Sequence, residues 1–419
     1  LRWRPADDWT VDLMAVDQRI DQDDSQYVTR STESLQRSAL FPEIGDNDFR
    51  LATMTISGRL GAIDIVSATS VTDQQIGTTL DASLSAGAFG MTSPLRYDEE
   101  RRYSVVNQEI RLSQTREDSL SWVAGASWVQ AESRFDGILT PTGGATRQVV
   151  NTHQDVIEFA AFGELSLPLA DGWRLTGGGR LFRSIARDEH TSPATAISER
   201  QTRTGFTPSV SLGWTPARNQ FWYVRVASAL RPGGLSAAGT TSDDRFASDE
   251  LTNVDFGWRI GAPDDRLSFE GAAYLTFWHH IQSDYLLANG LIGTHNVGNG
   301  RIYGLENRLS WKPSPSWTFE AGATVQSARL TKAVDPTVDP HGRLPVVPDV
   351  SLRLEAARRI AIGGWRGDVR ARLNYIGAAH LSFDSGLDRD MGQYVTAATA
   401  LTLSRGAWTI SARIDNLFD

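Results

Sequence analysis

The chain has 419 residues and a mass of 46.0 kDa, room for about three ordinary domains. Hydrophobic residues at 40% and charged residues at 22% exclude a disordered chain and a bundle of membrane helices, and no run nears the ~18 apolar residues of a transmembrane helix. With no cysteine, disulfide scaffolds, thiolate metal sites and cysteine nucleophiles are out, and a net charge of −9 argues against a nucleic-acid-binding surface.

Taken in chain order, the dominant signal is strict alternation. Residues 1–4 read as the end of a strand. Over 221–231 the set Trp222, Val224, Val226 and Leu230 alternates with Tyr223, Arg225 and Arg231. Over 253–261 Val254, Phe256, Trp258 and Ile260 oppose Asn253, Asp255 and Arg259. Over 267–277 Leu267, Phe269, Ala273, Leu275 and Phe277 oppose Ser268, Glu270, Tyr274 and Thr276. The same period holds over 317–326, 368–375 and 408–415. About eighteen such segments of about 10–15 residues can be traced. Strands of soluble sandwiches are about 5–6 residues, whereas a tilted strand crossing a bilayer has this greater length.

Two kinds of connection alternate. Short turns fall at 5–8, around 61, and at 116–119, 169–172, 216–219, 263–265, 313–316, 363–364 and 405–407. Long polar segments lie between them, at 22–47, 76–100, 135–152, 188–203, 231–249, 284–298, 332–348 and 376–393. Short and long in alternation mark an all-β, transmembrane, antiparallel up-and-down barrel, with tight turns at one rim and long loops at the other. A propeller would show a four-strand internal repeat, and none is visible. Ten of the thirteen tryptophans (Trp3, Trp9, Trp122, Trp173, Trp214, Trp222, Trp311, Trp317, Trp365 and Trp408) lie within a few residues of a short turn. Indole rings favour the membrane–water interface, so the clustering predicts an aromatic girdle at the short-turn rim. All seven histidines fall toward the long-loop side.

Catalytic signatures are lacking: the sequence holds no G-x-S-x-G, H-E-x-x-H or phosphate-loop pattern. The glycine-rich stretch 232–239 has no strand–helix frame that would make it a phosphate loop. Gly177, Gly178 and Gly179 fall in mid-strand, where they suit bending or close backbone packing.

Several segments resemble a known family. They are Glu250-Leu-Thr-Asn-Val-Asp-Phe-Gly-Trp-Arg259, Ala272-Ala-Tyr274, Trp278-His-His-Ile-Gln282 and Asn296-Val-Gly-Asn-Gly-Arg-Ile-Tyr-Gly-Leu-Glu306. The most specific is Ile414-Asp-Asn-Leu-Phe-Asp419. Together they resemble the C-terminal half of TonB-dependent outer-membrane receptors, where a similar Asn-Leu-Phe-Asp segment ends the penultimate strand. The resemblance implies a barrel of 22 strands filled by an N-terminal plug, of which about 18 strands are expected here. Counting back from strand 21 puts residues 1–4 in strand 4. The whole span 1–419 is then a single barrel domain, with the plug, about three first strands and the last strand outside it.

What the resemblance implies for function is active uptake of a bulky nutrient, most often a ferric siderophore, across the outer membrane of a Gram-negative bacterium. The partners implied are outer-membrane lipid, the small-molecule nutrient, and the TonB–ExbB–ExbD energy-coupling complex acting through the plug. No resident cofactor or metal is expected; iron would be cargo. Candidate ligand contacts are lumen-facing groups near the outer mouth: Arg231, Tyr223 and Arg225, and, by continued alternation, Trp278 and His280. Arginine and aromatic groups suit an anionic, flat-sided iron chelate. Adjacent His279 and His280 alternate to opposite faces, which argues against one shared metal ion. Haem receptors of this family carry a Phe-Arg-Ala-Pro type motif, and Ala229-Leu-Arg-Pro-Gly-Gly234 departs from it. Lumen-side charges such as Glu158, Arg180, Arg259, Arg308, Arg370 and Arg372 are expected to pair with one another or with a plug. Loop acids Asp21, Asp23, Asp24, Asp46, Asp243 and Asp244 match no calcium-loop spacing. Two other readings remain open. A passive porin of sixteen to eighteen strands would have one constriction loop folded inward and no plug. A soluble β protein is opposed by strand length and the tryptophan rim.

Overall fold

The computed structural model describes residues 1–25, 37–116, 118–192, 195–236, 245–286, 291–334, 338–384 and 388–418. In chain order the strands are β1 (Arg2–Ala6), β2 (Trp9–Gln22), β3 (Gly45–Leu60), β4 (Ile63–Asp81), β5 (Leu95–Gln114), β6 (Ser121–Pro141), β7 (Arg147–Pro168) and β8 (Trp173–Ser192). Then come β9 (Thr195–Ala217), β10 (Gln220–Arg231), β11 (Gly234–Leu235), β12 (Arg245–Phe246), β13 (Asp249–Gly261), β14 (Leu267–Leu286) and β15 (Ile292–Ser314). The last are β16 (Trp317–Ala333), β17 (Val350–Ile362), β18 (Trp365–Ile376), β19 (Ala379–His380), β20 (Asp390–Met391), β21 (Tyr394–Arg405) and β22 (Trp408–Ile414). A 3₁₀ turn, Ser83–Phe89, lies between β4 and β5.

Among the described residues, eighteen of these strands form one antiparallel meander in which each pairs with the next along the chain. The other four form two-residue ribbons in the long connections, β11 with β12 and β19 with β20. Among the described residues β1 pairs only with β2 and β22 only with β21, so the wall keeps two edges.

The alternation sets the faces. Leu181, Phe206, Val210, Phe159 and Val325 are 48–62% exposed and share the outward side with the other apolar sets. A wall that turns its apolar residues outward has lipid, not water, as its solvent. Cross-strand partners keep each face consistent: Tyr223 opposes Gly257, and Arg225 opposes Asp255 on β13 and Ser211 on β9.

The nine short connections fall where the alternation places them. The β17–β18 turn is Gly363–Gly364, with φ of 58° and 84°. Two successive left-handed residues give the hairpin turn whose twist matches the strands, and glycine enters that region without a Cβ clash. The aromatic girdle is present at the same rim. Trp173 opposes Trp214 and stacks on it at 5.4 Å, Trp222 opposes Trp214 and Trp258, and Trp317 stacks on Phe319 at 5.3 Å.

Strand length departs from the expected 10–15 residues. β5 to β9 run to 20–23 residues, as do β14 and β15. Most of 135–152, 188–203 and 284–298, expected as loops, is therefore paired strand. At ~3.3 Å per residue and ~45° of tilt, 22 residues rise ~50 Å, about twice the apolar band of ~25 Å. The excess stands above the band, where the outward face meets water rather than lipid and polar residues no longer mark a loop. Conversely, β22 ends at Ile414, before the Asn-Leu-Phe-Asp segment that the resemblance places at the end of this strand. Asp419 of the terminal motif lies outside the described residues.

In mid-strand, a Cβ on Gly178 would strike the Gly163 carbonyl and one on Gly179 the Phe206 ring, so both glycines serve close packing.

Candidate substrate site at the long-loop mouth

The five candidate residues separate into two groups. Tyr223 and Arg225 lie on the lumen wall, six to eight residues below Arg231 on β10, or ~20–26 Å along the strand. The Tyr223 ring stacks against Phe221 at 5.9 Å and lies where a Cβ on Gly257 would stand. It lines a concavity of about 600 Å³ with Arg259, Glu270, Glu306, Arg308 and Arg353. Around that level the charges neutralise one another. Arg308 reaches Glu320 at 2.9 Å and Glu270 at 4.0 Å, Arg259 reaches Glu270 at 3.5 Å, and Glu355 accepts from Arg353 and Arg372. Arg370 holds Asp368 at 2.7 Å and Arg180 holds Glu158 at 2.6 Å. Arg225 is exposed and forms no ion pair among the described residues.

Arg231 and Trp278 meet at the mouth on a residue the sequence reading passed over. Arg231 donates through Nε and Nη2 to the two carboxylate oxygens of Asp249, at 3.2 and 2.6 Å, and Trp278 Nε1 donates to the same carboxylate at 3.1 Å. Asp249 is 4% exposed, whereas the Arg231 side chain is 56% exposed. A buried carboxylate with three donors is satisfied, and it fixes the planar guanidinium with one side open to the lumen.

His280 departs from regular alternation. Register shifts between Trp278 and Ile281, and His280 has a φ of 54°, so a bulge interrupts β14 there. The backbone N–H of His280 donates to Asn299 Oδ1 at 2.9 Å, and its carbonyl accepts from Asn296 Nδ2 at 2.6 Å. The side chain is exposed. Among the described residues no group of three His, Asp or Glu side chains is arranged to hold a metal ion. Asp243 and Asp244 lie outside the described residues, as do 237–239 of the glycine-rich stretch.

That stretch opens the β11–β12 ribbon, which lies across the inner face of the mouth. On one side Arg203 donates to Ser248 and, at 3.0 Å, to Glu250, while Arg245 pairs with Glu199. Arg203 and Glu199 are register partners of Ser184 and Asp188, on the face opposite to Phe206 and Leu181. On the other side Gln282 donates to the carbonyls of Pro232 and Ala247, and Thr294 N–H donates to Ser236. Ser184, Ala186, Asp188 and His190 of β8 are 3–6% exposed on this face. At ~35 Å above the short-turn rim, Asp188 lies beyond the apolar band. Burial pushes its carboxyl upward, a hydrogen bond from Gln154 opposes this, and Glu199 adds to it.

A second covering element is the β14–β15 hairpin. Leu291 at its tip packs against Ala86, Leu95, Tyr97 and Leu139, on the side of the mouth formed by β4 to β6. β14 and β5 stand far apart in the meander, so the hairpin reaches over the opening. Its base is anchored by an apolar cluster of Ile281, Val297, Ala328, Leu330 and Leu344. Asp249, Gln282, Asn296, Arg203 and Leu291 carry this architecture. Only Gln282 and Asn296 lay in segments with a legible signal, and that was a resemblance rather than a chemistry.

The family profile described as "TonB dependent receptor-like, beta-barrel" matches residues 1–417. Among curated proteins none matches the sequence. The fold is similar to that of the ferric yersiniabactin uptake receptor of Yersinia pestis, with a TM-score of 0.84 at 17% identity over 100% of this chain and 64% of that one. It is also similar to a siderophore receptor of Acinetobacter baumannii, with a TM-score of 0.78, 14% identity, and coverage of 98% and 68%. A copper transporter gives a TM-score of 0.72 and 17% identity, covering 100% and 64%. The chain thus spans about two thirds of the length of these proteins.

Proposed function

The chain belongs to the TonB-dependent receptor-like β-barrel family, and from that premise we propose that it is the barrel wall of an outer-membrane receptor that imports a bulky nutrient with energy delivered through TonB. The observation that carries this reading is the family match over 1–417. The open wall supports it: a passive porin of eighteen strands needs β1 to pair with β22, and among the described residues they do not. An unpaired edge in lipid is costly, which opposes a porin wall of these eighteen strands. The inward ribbon would narrow the mouth in either architecture and favours neither. The family is one of receptors and transporters rather than enzymes.

The proposed cargo is a ferric siderophore in the outer membrane of a Gram-negative bacterium. Its contacts at the mouth would be the open side of Arg231, with Trp278 and His280, and lower in the lumen Tyr223 and Arg225. Two of the similar structures are named for ferric or siderophore uptake and one for copper, so the fold by itself does not select the ligand. The charged lower wall suits a polar plug, through which TonB–ExbB–ExbD would act. The test is equilibrium binding of catecholate, hydroxamate and citrate ferric chelates, and of cupric ion, to the full-length protein. One ferric chelate should bind with micromolar or better affinity and lose about tenfold or more in Arg231→Gln. Binding of cupric ion alone, or of no chelate, would overturn the siderophore reading.

A further inference from the structure

The outward face of β7 to β9 carries a cluster of arginines where the apolar band ends. Gln108, Trp128, Phe159, Arg183 and Thr204 are successive register partners across β5 to β9. Arg183 lies ten residues from the short-turn end of β8, a height of ~23 Å, at the edge of a ~25 Å band. Two outward positions farther up, Arg187 opposes both Asp155 and Arg200. All three arginines are exposed, on the same face as Leu181 and Phe206.

Other outward arginines in this region are neutralised: Arg102 by Glu100 at 2.5 Å and Arg134 by Glu132 at 2.7 Å. Among the described residues Arg183, Arg187 and Arg200 form no ion pair within 4.0 Å; the carboxylates on their face are Asp155 and Glu189. From Arg183 an apolar groove of about 520 Å³ runs across the wall past Phe159 and Trp128 at the same register, with Leu181, Ala126 and Ile110 one step nearer the short-turn rim. A cation with no counter-ion at the margin of hydrocarbon, with an apolar channel leading away beside it, complements a molecule with an anionic head and an acyl tail.

We propose that this face binds an anionic lipid of the surrounding leaflet that carries two phosphate groups. The acyl chain lies in the groove, one phosphate takes the Arg183 guanidinium, and the second takes Arg187 and Arg200. Arg183 and Arg187 are four residues apart on one strand, ~13 Å between their Cα atoms, a spacing at which each guanidinium can take a phosphate of its own. The guanidinium fork suits phosphate oxygens better than an ammonium would.

This site rests on the outer-membrane reading, and the experiment separates the two. The full-length protein in mild detergent is titrated with diphosphorylated lipid A, its dephosphorylated form and phosphatidylethanolamine, and bound lipid is counted by native mass spectrometry. The expected result is retention of one diphosphorylated molecule, about tenfold weaker retention of the other two, and no displacement by millimolar inorganic phosphate. The Arg183→Gln, Arg187→Gln, Arg200→Gln variant should bind at least about tenfold more weakly, while Arg134→Gln binds as the parent does. Heat-modifiable electrophoretic mobility reports the folded barrel in each. Folded variants that bind the diphosphorylated lipid equally with and without the three arginines would overturn the lipid site alone, as would displacement by inorganic phosphate. A parent chain with no heat-modifiable folded form would overturn the membrane reading and the site with it.

Discussion

Asp249→Ala tests whether the mouth is held as described. The buried carboxylate accepts two hydrogen bonds from Arg231 and one from Trp278. Breaking a buried ion pair costs ~3–5 kcal/mol, mostly as an uncompensated charge. Arg231 is 56% exposed and rehydrates when freed, which lowers the figure to ~2–3 kcal/mol. That energy holds the tops of β10, β13 and β14 together, not the barrel as a whole. Hydrogen exchange in detergent should therefore show protection falling about 30- to 140-fold in peptides covering 228–232, 249–252 and 276–282. Peptides at the short-turn rim, such as 311–319, should not change. Arg231→Gln should lose at least as much, because it leaves the Asp249 carboxylate buried without a counter-charge and held only by the Trp278 hydrogen bond. Unchanged protection at the mouth, or an equal loss at both rims, would refute the assignment of Asp249 as the tie.

Other outcomes follow from the same geometry. Glu43 is 4% exposed and accepts from Arg37, Ser25 and the Asp81 N–H; these bonds, led by Arg37, hold its carboxyl down at about 2. Its folded value lies below the ordinary one, so docking of 37–44 on the end of β4 is fully stabilised above the ordinary carboxylate range. It weakens as pH falls through that range toward about 2, and limited proteolysis of this segment between pH 6 and pH 3 reads the change. Gly257→Val should cost ~1–3 kcal/mol because Tyr223 occupies the Cβ space, and adding Tyr223→Ala should restore most of the urea midpoint. Leu291→Ser should free the hairpin tip by ~1–2 kcal/mol, seen as faster exchange at 80–97 with no change at the hairpin base, 297–302.

The sequence was most informative where one face meets lipid and the other the lumen. There the two solvents impose period two, and the sets around Phe256, Leu275 and Val226 fell on the outward face. Tryptophans marked one rim because indole rings gather at interfaces. Above the band this contrast is lost. Asp188, Glu189 and His190 read as loop, yet they stand in a ladder with Glu199, Ser198 and Ile197. Hydrogen bonding between backbones does not depend on side-chain pattern, so the strand continued where its signal stopped. The same loss hid the bulge at His280, whose left-handed backbone no alternation can foretell. Asp249 was invisible because its partners, Arg231 and Trp278, lie on two different strands. Only the register brings the three together.

Uptake of a radiolabelled ferric chelate by cells producing the full-length protein, with and without TonB, separates energised import from passage through an open pore. Accumulation should fall to background without TonB while binding to the cell surface persists. Equal accumulation in both strains would contradict energised import and make the wall that of a passive channel.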